Sequence, residues 1–304
     1  MTPDEFKHAL TNEGAPFQTS VAGARVAFRR WPKVGAQGVL LIHGHAAHAR
    51  WWDHLAPALN TVFDVSAIDL SGSGDSDHRD FYSSSLFATE MMQVSLEAGY
   101  AAPIVIAHSF GGTLARMACY LNPGWAQKLI LIDSVISSAP SSSKKPALSK
   151  PPIDKKSADS DRTLRKLQRR YKSPEAALRR FRVRPRQSIE HGHIERHVAR
   201  HSIKRIGDDY QFKFDRDLLK KFLVTPGLPR GSEMIQGIEA NICFIYGQRS
   251  QFFTSETLMG RQNLETITDL IAPDRIIAIE DAAHHVFLDQ PNATIEALLR
   301  LASR

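Results

Sequence analysis

This 304-residue chain is short of cysteine and of long hydrophobic runs, and each shortage removes a class of protein. No apolar stretch approaches the roughly 20 residues that a membrane-spanning helix requires, so no membrane span is expected. Cys119 and Cys243 are its two thiols, enough for one bridge but not for a disulfide framework. Both fall in segments with core-like patterns, where small buried thiols are ordinary. The opening residues, Met1-Thr2-Pro3-Asp4-Glu5-Phe6-Lys7, lack the basic-then-apolar layout of a secretory leader, and the expected location is cytoplasmic. Aromatic residues make up 8% of the chain and are not interleaved with its basic clusters as a base-stacking platform would need. Gly72-Ser73-Gly74 lacks the third glycine and the strand-to-helix register of a phosphate-binding loop.

Charge is present but unevenly placed. The net charge is +7, yet residues 141–230 hold 25 of the 39 Lys+Arg and 10 of the 32 Asp+Glu, a local excess of +15. The remaining chain, with 14 basic and 22 acidic residues, stands at −8. A basic module interrupts an acidic body, which marks a domain boundary in charge alone. The expected division is residues 1–133 and 241–304 as one body and 134–240 as an insertion.

Within the body, short apolar runs alternate with helical patterns. Gly38-Val39-Leu40-Leu41-Ile42, Ile104-Val105-Ile106 and Lys128-Leu129-Ile130-Leu131-Ile132 read as strands covered on both faces. Strands are also expected at 17–21, 25–31, 62–68, 241–247 and 275–279, with helices at 4–12, 50–59, 83–98, 113–121 and 292–301. This alternation predicts a mostly parallel sheet with helices on both faces and with ligands outside the carboxyl ends of its strands. In the insertion, 134–156 is rich in Ser, Pro and Lys and reads as loop, while helices are expected at 161–171, 173–182, 189–205 and 215–223.

The chemistry concentrates where those strands end. Ile104-Val105-Ile106-Ala107-His108-Ser109-Phe110-Gly111-Gly112 must turn from strand to helix within a few residues, and small residues two before and two after Ser109 let the backbones pack there. The pattern is a G-x-S-x-G elbow with alanine at its first glycine position; it lifts the Ser109 hydroxyl clear of the sheet and aims the Phe110 amide at the same spot. A serine hydroxyl becomes a useful nucleophile only with a base in reach, best a histidine oriented by a carboxylate, and with amide donors for the oxyanion.

Taken with His43-Gly44 after the third strand, Asp69-x-x-Gly72-x-Gly74-x-Ser76 after the fourth, and His284 seven residues before Pro291, the elbow resembles that of the α/β-hydrolase superfamily. The likeness runs from about residue 20 to the end, excluding most of the insertion. It implies an eight-stranded, mostly parallel α/β-hydrolase sheet with an inserted helical cap, and a serine hydrolase acting without cofactor or metal. Ser109 matches the family nucleophile, Phe110 and His45 the residues whose amides hold the oxyanion, and His284 the general base, with His285 beside it as the competing choice. The family's usual acid lies within Gly-x-x-Asp after the seventh strand, but Gly247-Gln248-Arg249-Ser250 has serine there. Asp133, ending the sixth strand, is the expected substitute; Glu256 and a Ser–His dyad are the alternatives. Asp69 reads as a brace for its loop.

Dehalogenases and epoxide hydrolases of this fold use a carboxylate at the elbow, so serine points instead to acyl transfer to water: hydrolysis of a carboxylic ester, thioester, lactone or activated C–C bond. A non-catalytic ligand-binding protein on the same fold is the alternative. His191, His193, His197 and His201 share one expected helix, but His193-Ile194-Glu195-Arg196-His197 has isoleucine where a zinc-protease motif needs glutamate, and the surrounding cations oppose a metal. The partner expected is a small acyl substrate. The basic insertion fits an acidic acyl carrier or coenzyme A-type donor as a further partner, and no nucleic-acid module accompanies it.

Overall fold

Three five-residue strands, Gly38–Ile42, Ile104–His108 and Lys128–Ile132, are buried along their whole length, because both faces of the sheet they occupy are covered. In this computed structural model, which describes residues 1–137, 169–229 and 231–304, they are the centre of an eight-stranded sheet. Its strands are β1 (Ala15–Val21), β2 (Ala24–Trp31), β3 (Gly38–Ile42), β4 (Asp64–Ile68), β5 (Ile104–His108), β6 (Lys128–Ile132), β7 (Asn241–Gly247) and β8 (Ile276–Ile279). The spatial order is β1-β2-β4-β3-β5-β6-β7-β8. The pairs β1/β2 and β2/β4 are antiparallel, and every later pair is parallel.

Alternation along each strand divides the core in two. Val39, Leu41, Ile104 and Ile106 point into one cluster, shared with Trp51, Trp52, Phe287 and the helix Pro291–Ala302. Leu40, Ile42, Val105 and Ala107 point into the other, shared with the helices Ser84–Ala98 and Phe110–Leu121. A run such as Val39-Leu40-Leu41-Ile42 is apolar at every position because the period of two sends each neighbour into a different buried layer.

Several expected helices are shorter in the structure. Residues 50–59 do not form one helix: a 3-10 turn covers Ala49–Trp52 and a separate helix covers Ala56–Asn60. Pro57 explains the break, since its ring would clash with the carbonyl four residues back in a continuous helix and is tolerated in a first turn. The fourth strand begins at Asp64 rather than at 62. Within the insertion, the helix expected at 173–182 covers Pro174–Leu178, and that expected at 215–223 covers Leu218–Lys221. The helix expected at 189–205 covers Gly192–His201 and gives way to a hairpin, Ile203–Ile206 against Asp209–Phe212. Gly207-Asp208 between them is a two-residue hairpin turn of the kind that suits the strand twist. The insertion is therefore helical only in part among the described residues. The loop expected at 134–156 and the helix at 161–171 fall largely outside the described residues. Among the described residues no helix is long and apolar enough to cross a membrane.

The insertion is fastened to the body by polar contacts. Asp53, in the turn after Ala49–Trp52, accepts from His197 Nε2 at 2.8 Å and from Arg50 Nε at 2.8 Å, with no exposure of its own side chain. His48 Nε2 donates to Ser202 Oγ at 2.9 Å while that hydroxyl donates to the Val198 carbonyl at 2.8 Å. Gln187 reaches the histidine loop: its Nε2 donates to Asp289 at 2.9 Å, and its Oε1 accepts from the His285 amide at 2.9 Å.

Candidate active site

Five strand ends, those of β3, β5, β6, β7 and β8, meet at one place. The turn after β5 puts Ser109 at φ 53°, a left-handed conformation that a serine adopts only under the constraint of its surroundings. Three hydrogen bonds hold it there: the Ser109 amide donates to the Ile132 carbonyl at 2.9 Å, and its own carbonyl accepts from Ser134 Oγ at 2.9 Å and from the Thr113 amide at 3.2 Å. The helix Phe110–Leu121 leaves so tightly that a Cβ on Gly111 would stand 2.3 Å from the His43 carbonyl oxygen, which accounts for the glycine two residues past the serine.

After β6 the chain turns at Asp133, also at positive φ, 46°. Its carboxylate points across to the end of β7, where Oδ2 accepts from the Gly247 amide at 3.1 Å and Oδ1 accepts from Ser250 Oγ at 2.7 Å. The loop after β8 brings His284 between these two turns. His284 Nδ1 lies 2.7 Å from Asp133 Oδ1, and Nε2 lies 2.9 Å from Ser109 Oγ. Asp133 and His284 are 1% and 3% exposed, so the contact is out of bulk water.

Burial decides the protonation here. It lowers the His284 imidazole to about 4, which keeps the ring neutral near pH 7. A neutral ring has one N–H and one lone pair. With Nδ1–H donated to the carboxylate, the Nε2 lone pair faces the Ser109 hydroxyl. Burial raises the Asp133 carboxyl, and the hydrogen bonds from Ser250 and the Gly247 amide oppose that rise.

The turn after β3 closes the other side. A Cβ on Gly44 would lie 3.2 Å from Ser109 Cβ, so the backbone entering His45 passes directly over the serine. Among the described residues, neither the His45 amide nor the Phe110 amide is spent on an internal hydrogen bond. The turn is braced from below. Asp69 accepts from the Ala49 amide at 2.6 Å and the Asp75 amide at 2.9 Å, and His43 donates through Nδ1 to the Gly44 carbonyl and accepts at Nε2 from the Leu70 amide at 3.2 Å. Burial pushes the Asp69 carboxyl up to about 6. His43 falls to about 4 for the same reason.

Ser109, His284, Asp133 and the His45 and Phe110 turns are thus brought together, while Glu256 is exposed and away from them, its amide donating to Thr254 Oγ1. The insertion histidines serve other ends: His197 binds Asp53, and His193 packs edge-on against Phe6 with ring centroids 5.1 Å apart. The tightest histidine group among the described residues is instead His108, His284 and His285, whose ligand-type nitrogens lie within 4.8 Å of one another. His284 already uses both nitrogens toward Asp133 and Ser109, and His108 donates Nε2–H to the His284 carbonyl at 3.0 Å.

The strained serine, the histidine between two strand ends and the order of the sheet match a known architecture. A family model described as the alpha/beta hydrolase family matches residues 39–297. The chain belongs to that family. It is 27% identical over 127 residues to epoxide hydrolase 4 of Mus musculus, covering 41% of this chain and 33% of that one. It is 30% identical over 118 residues to the serine hydrolase-like protein of Homo sapiens, covering 38% of this chain and 58% of that one. The chain therefore spans a third of the first relative and somewhat over half of the second. The crystal structure of an esterase from Mycobacterium tuberculosis superposes with a TM-score of 0.68 over 99% of this chain and 96% of that one, at 20% identity, a likeness of fold.

For this α/β hydrolase, three site residues escaped the sequence reading. Ser250 carries no charge, yet it donates to the Asp133 carboxylate. His108 pins the loop carrying His284 by bonding its carbonyl. Asp289 holds the same loop by accepting from the Ala283 amide at 2.8 Å. His108 adjoins the elbow serine, and Asp289 lies five residues past His284 just before a helix-starting proline, so position alone offered a hint for both. No sequence signal pairs Ser250 with Asp133, which lie 117 residues apart.

Proposed function

We propose that the chain is a serine hydrolase that cleaves a carboxylic ester, or a related acyl bond such as a thioester or lactone, through an acyl-enzyme. The observation that carries the reading is the continuous contact from Asp133 through His284 to a conformationally strained Ser109, at 2.7 and 2.9 Å. The family and the names of its relatives support hydrolase chemistry. Serine rather than carboxylate at the elbow favours acyl transfer over the alkyl transfer that the first relative's name implies for that protein.

In this scheme Ser109 Oγ attacks the acyl carbon as its proton passes to His284 Nε2. The carbonyl oxygen becomes an oxyanion facing the His45 and Phe110 amides, donors already fixed by the turns that carry them. Collapse expels the alcohol or thiol, which takes the proton back from Nε2. Water then attacks the acyl-enzyme through the same base, releasing the acid and restoring Ser109. Asp133 keeps Nδ1–H in place throughout and offsets the charge that the ring gains in each transition state.

A fluorophosphonate probe tests the reading directly. The protein should label, and Ser109→Ala should not. Absence of labelling, or equal labelling of the variant, would leave a ligand-binding protein on a hydrolase fold.

A further inference from the structure

A cavity of about 190 Å³ lies between the inserted segment and the turn after β3. Its apolar surface is largely aromatic, with Trp51 and Phe181 among the side chains lining it. Among the described residues its charge is of one sign: Arg169, Arg180, Arg182, Arg184 and Arg216 line it, and no aspartate or glutamate does. Three of the guanidinium groups, those of Arg169, Arg184 and Arg216, lie over rings that also face the cavity. That of Arg184 sits 5.9 Å from the centroid of Phe214, and that of Arg169 sits 5.5 Å from the centroid of Tyr171. Among the described residues Arg169, Arg180 and Arg184 pair with no carboxylate.

The cavity adjoins the turn that passes over Ser109. His45 lines it, and the preceding residue, Gly44, packs against Ser109. The His45 Nδ1 atom is buried without a partner, and Arg184 is close enough for its charge to add to burial in lowering that imidazole. A molecule bound to Ser109 and extending past His45 therefore enters a pocket walled by cations.

We propose that this cavity selects small acyl substrates bearing a second, anionic group, a carboxylate or phosphate, held by Arg184 with Arg180 and Arg169. The proposal rests on the acyl-transfer reading for which end of the substrate meets Ser109. Guanidinium forks suit both anions because each offers two coplanar oxygens to parallel N–H donors. Arg169, Arg180 and Arg184 are exposed, so one pair alone would contribute little. Several cations converging on a partly enclosed cavity raise the local potential together. A volume below the roughly 300–1,000 Å³ usual for ligand sites favours a short substrate over a long acyl chain. It also argues against a carrier protein as the ligand, because the cations face a concavity that a folded partner cannot enter.

Binding to the Ser109→Ala variant separates this proposal from the catalytic one, since it needs no turnover. Calorimetry would compare monomethyl succinate and monobutyl phosphate with neutral methyl butyrate, a close match in chain length. At low salt at least one anion should bind about tenfold or more tighter than the neutral ester, as expected for a charge-assisted contact. The preference should fade near 1 M salt, where screening acts beyond about 3 Å. It should also fall in Arg184→Gln and in Arg180→Gln, with methyl butyrate affinity unchanged as evidence of an intact pocket. Which anion prefers the site distinguishes carboxylate from phosphate. Equal binding of charged and neutral compounds, or an anion preference untouched by both substitutions, overturns the proposal. Binding of polyglutamate without either small anion also overturns it and points to an acidic macromolecule on the basic face. If the anions bind as expected but wild-type protein shows no labelling by fluorophosphonate, the catalytic reading fails and the anion pocket stands.

Discussion

At the carboxyl ends of the sheet three polar side chains are buried and matched: Asp133 faces three donors, His284 faces one acceptor and one hydroxyl, and Asp69 faces two amides. In the inserted segment the polar groups are mostly exposed, and around the cavity they are of one charge. The difference separates two jobs. A buried polar group without a partner is costly, so the matched set at the strand ends has one arrangement and can hold a reaction geometry. Exposed arginines lose little by remaining unpaired in water, so they can wait for a ligand and read its charge.

Breaking the matched set should have the largest effect. Asp133→Asn removes the acceptor that fixes the His284 tautomer, and kcat on a p-nitrophenyl ester should fall by about 10⁴. A loss of less than tenfold would shift the acid role to Glu256 or to a dyad, whereas the expected result leaves Glu256→Gln at wild-type turnover.

The joint between the two regions comes next. Asp53→Asn leaves Arg50 and His197 without their buried partner and should cost about 3 kcal/mol of unfolding free energy by denaturant titration. Ser109 should still label with fluorophosphonate in this variant at low temperature, because the strand ends do not depend on Asp53 for their hydrogen bonds. Loss of labelling in a folded protein would show that the two regions are less separable than their contacts imply.

Ser250→Ala should be milder. It removes one of three donors to Asp133, and a hydrogen bond to a charged group of about 1.5–3 kcal/mol converts to a fall in kcat of roughly 10- to 100-fold. An unchanged kcat would reduce Ser250 to a packing residue.

The smallest effect is a displaced pH profile. Protonated His284 cannot accept the serine proton, so activity is lost as pH falls through its pKa. Burial lowers that value from the ordinary 6.5 to about 4. The acid limb of kcat/KM should therefore lie near 4, with activity retained between pH 6.5 and that point; a limb at 6.5 would mean that His284 is better solvated than its contacts indicate.

The sheet was legible because its strands carry a signal that each residue expresses alone. Three apolar pentads buried on both faces, each closing on polar residues, locate the layer and its functional edge without knowledge of any partner. The insertion was less legible for the opposite reason. Its helices are short, Gly207-Asp208 turns what reads as continuing helix into a hairpin, and its contacts to Asp53, His48 and Asp289 reach across more than 90 residues.

By itself the sequence determined the elbow, the succession of strands along the chain and the candidates Ser109, His284 and Asp133, because local pattern and backbone demand are written residue by residue. Only the tertiary structure decided that Asp133 and Ser250, at the ends of neighbouring strands, form one carboxylate site, and that the arginines of the insertion line a common cavity beside His45. Such pairings depend on which strands lie side by side and on where a long excursion of the chain returns. Those are matters of packing between distant segments, and no window of sequence contains them.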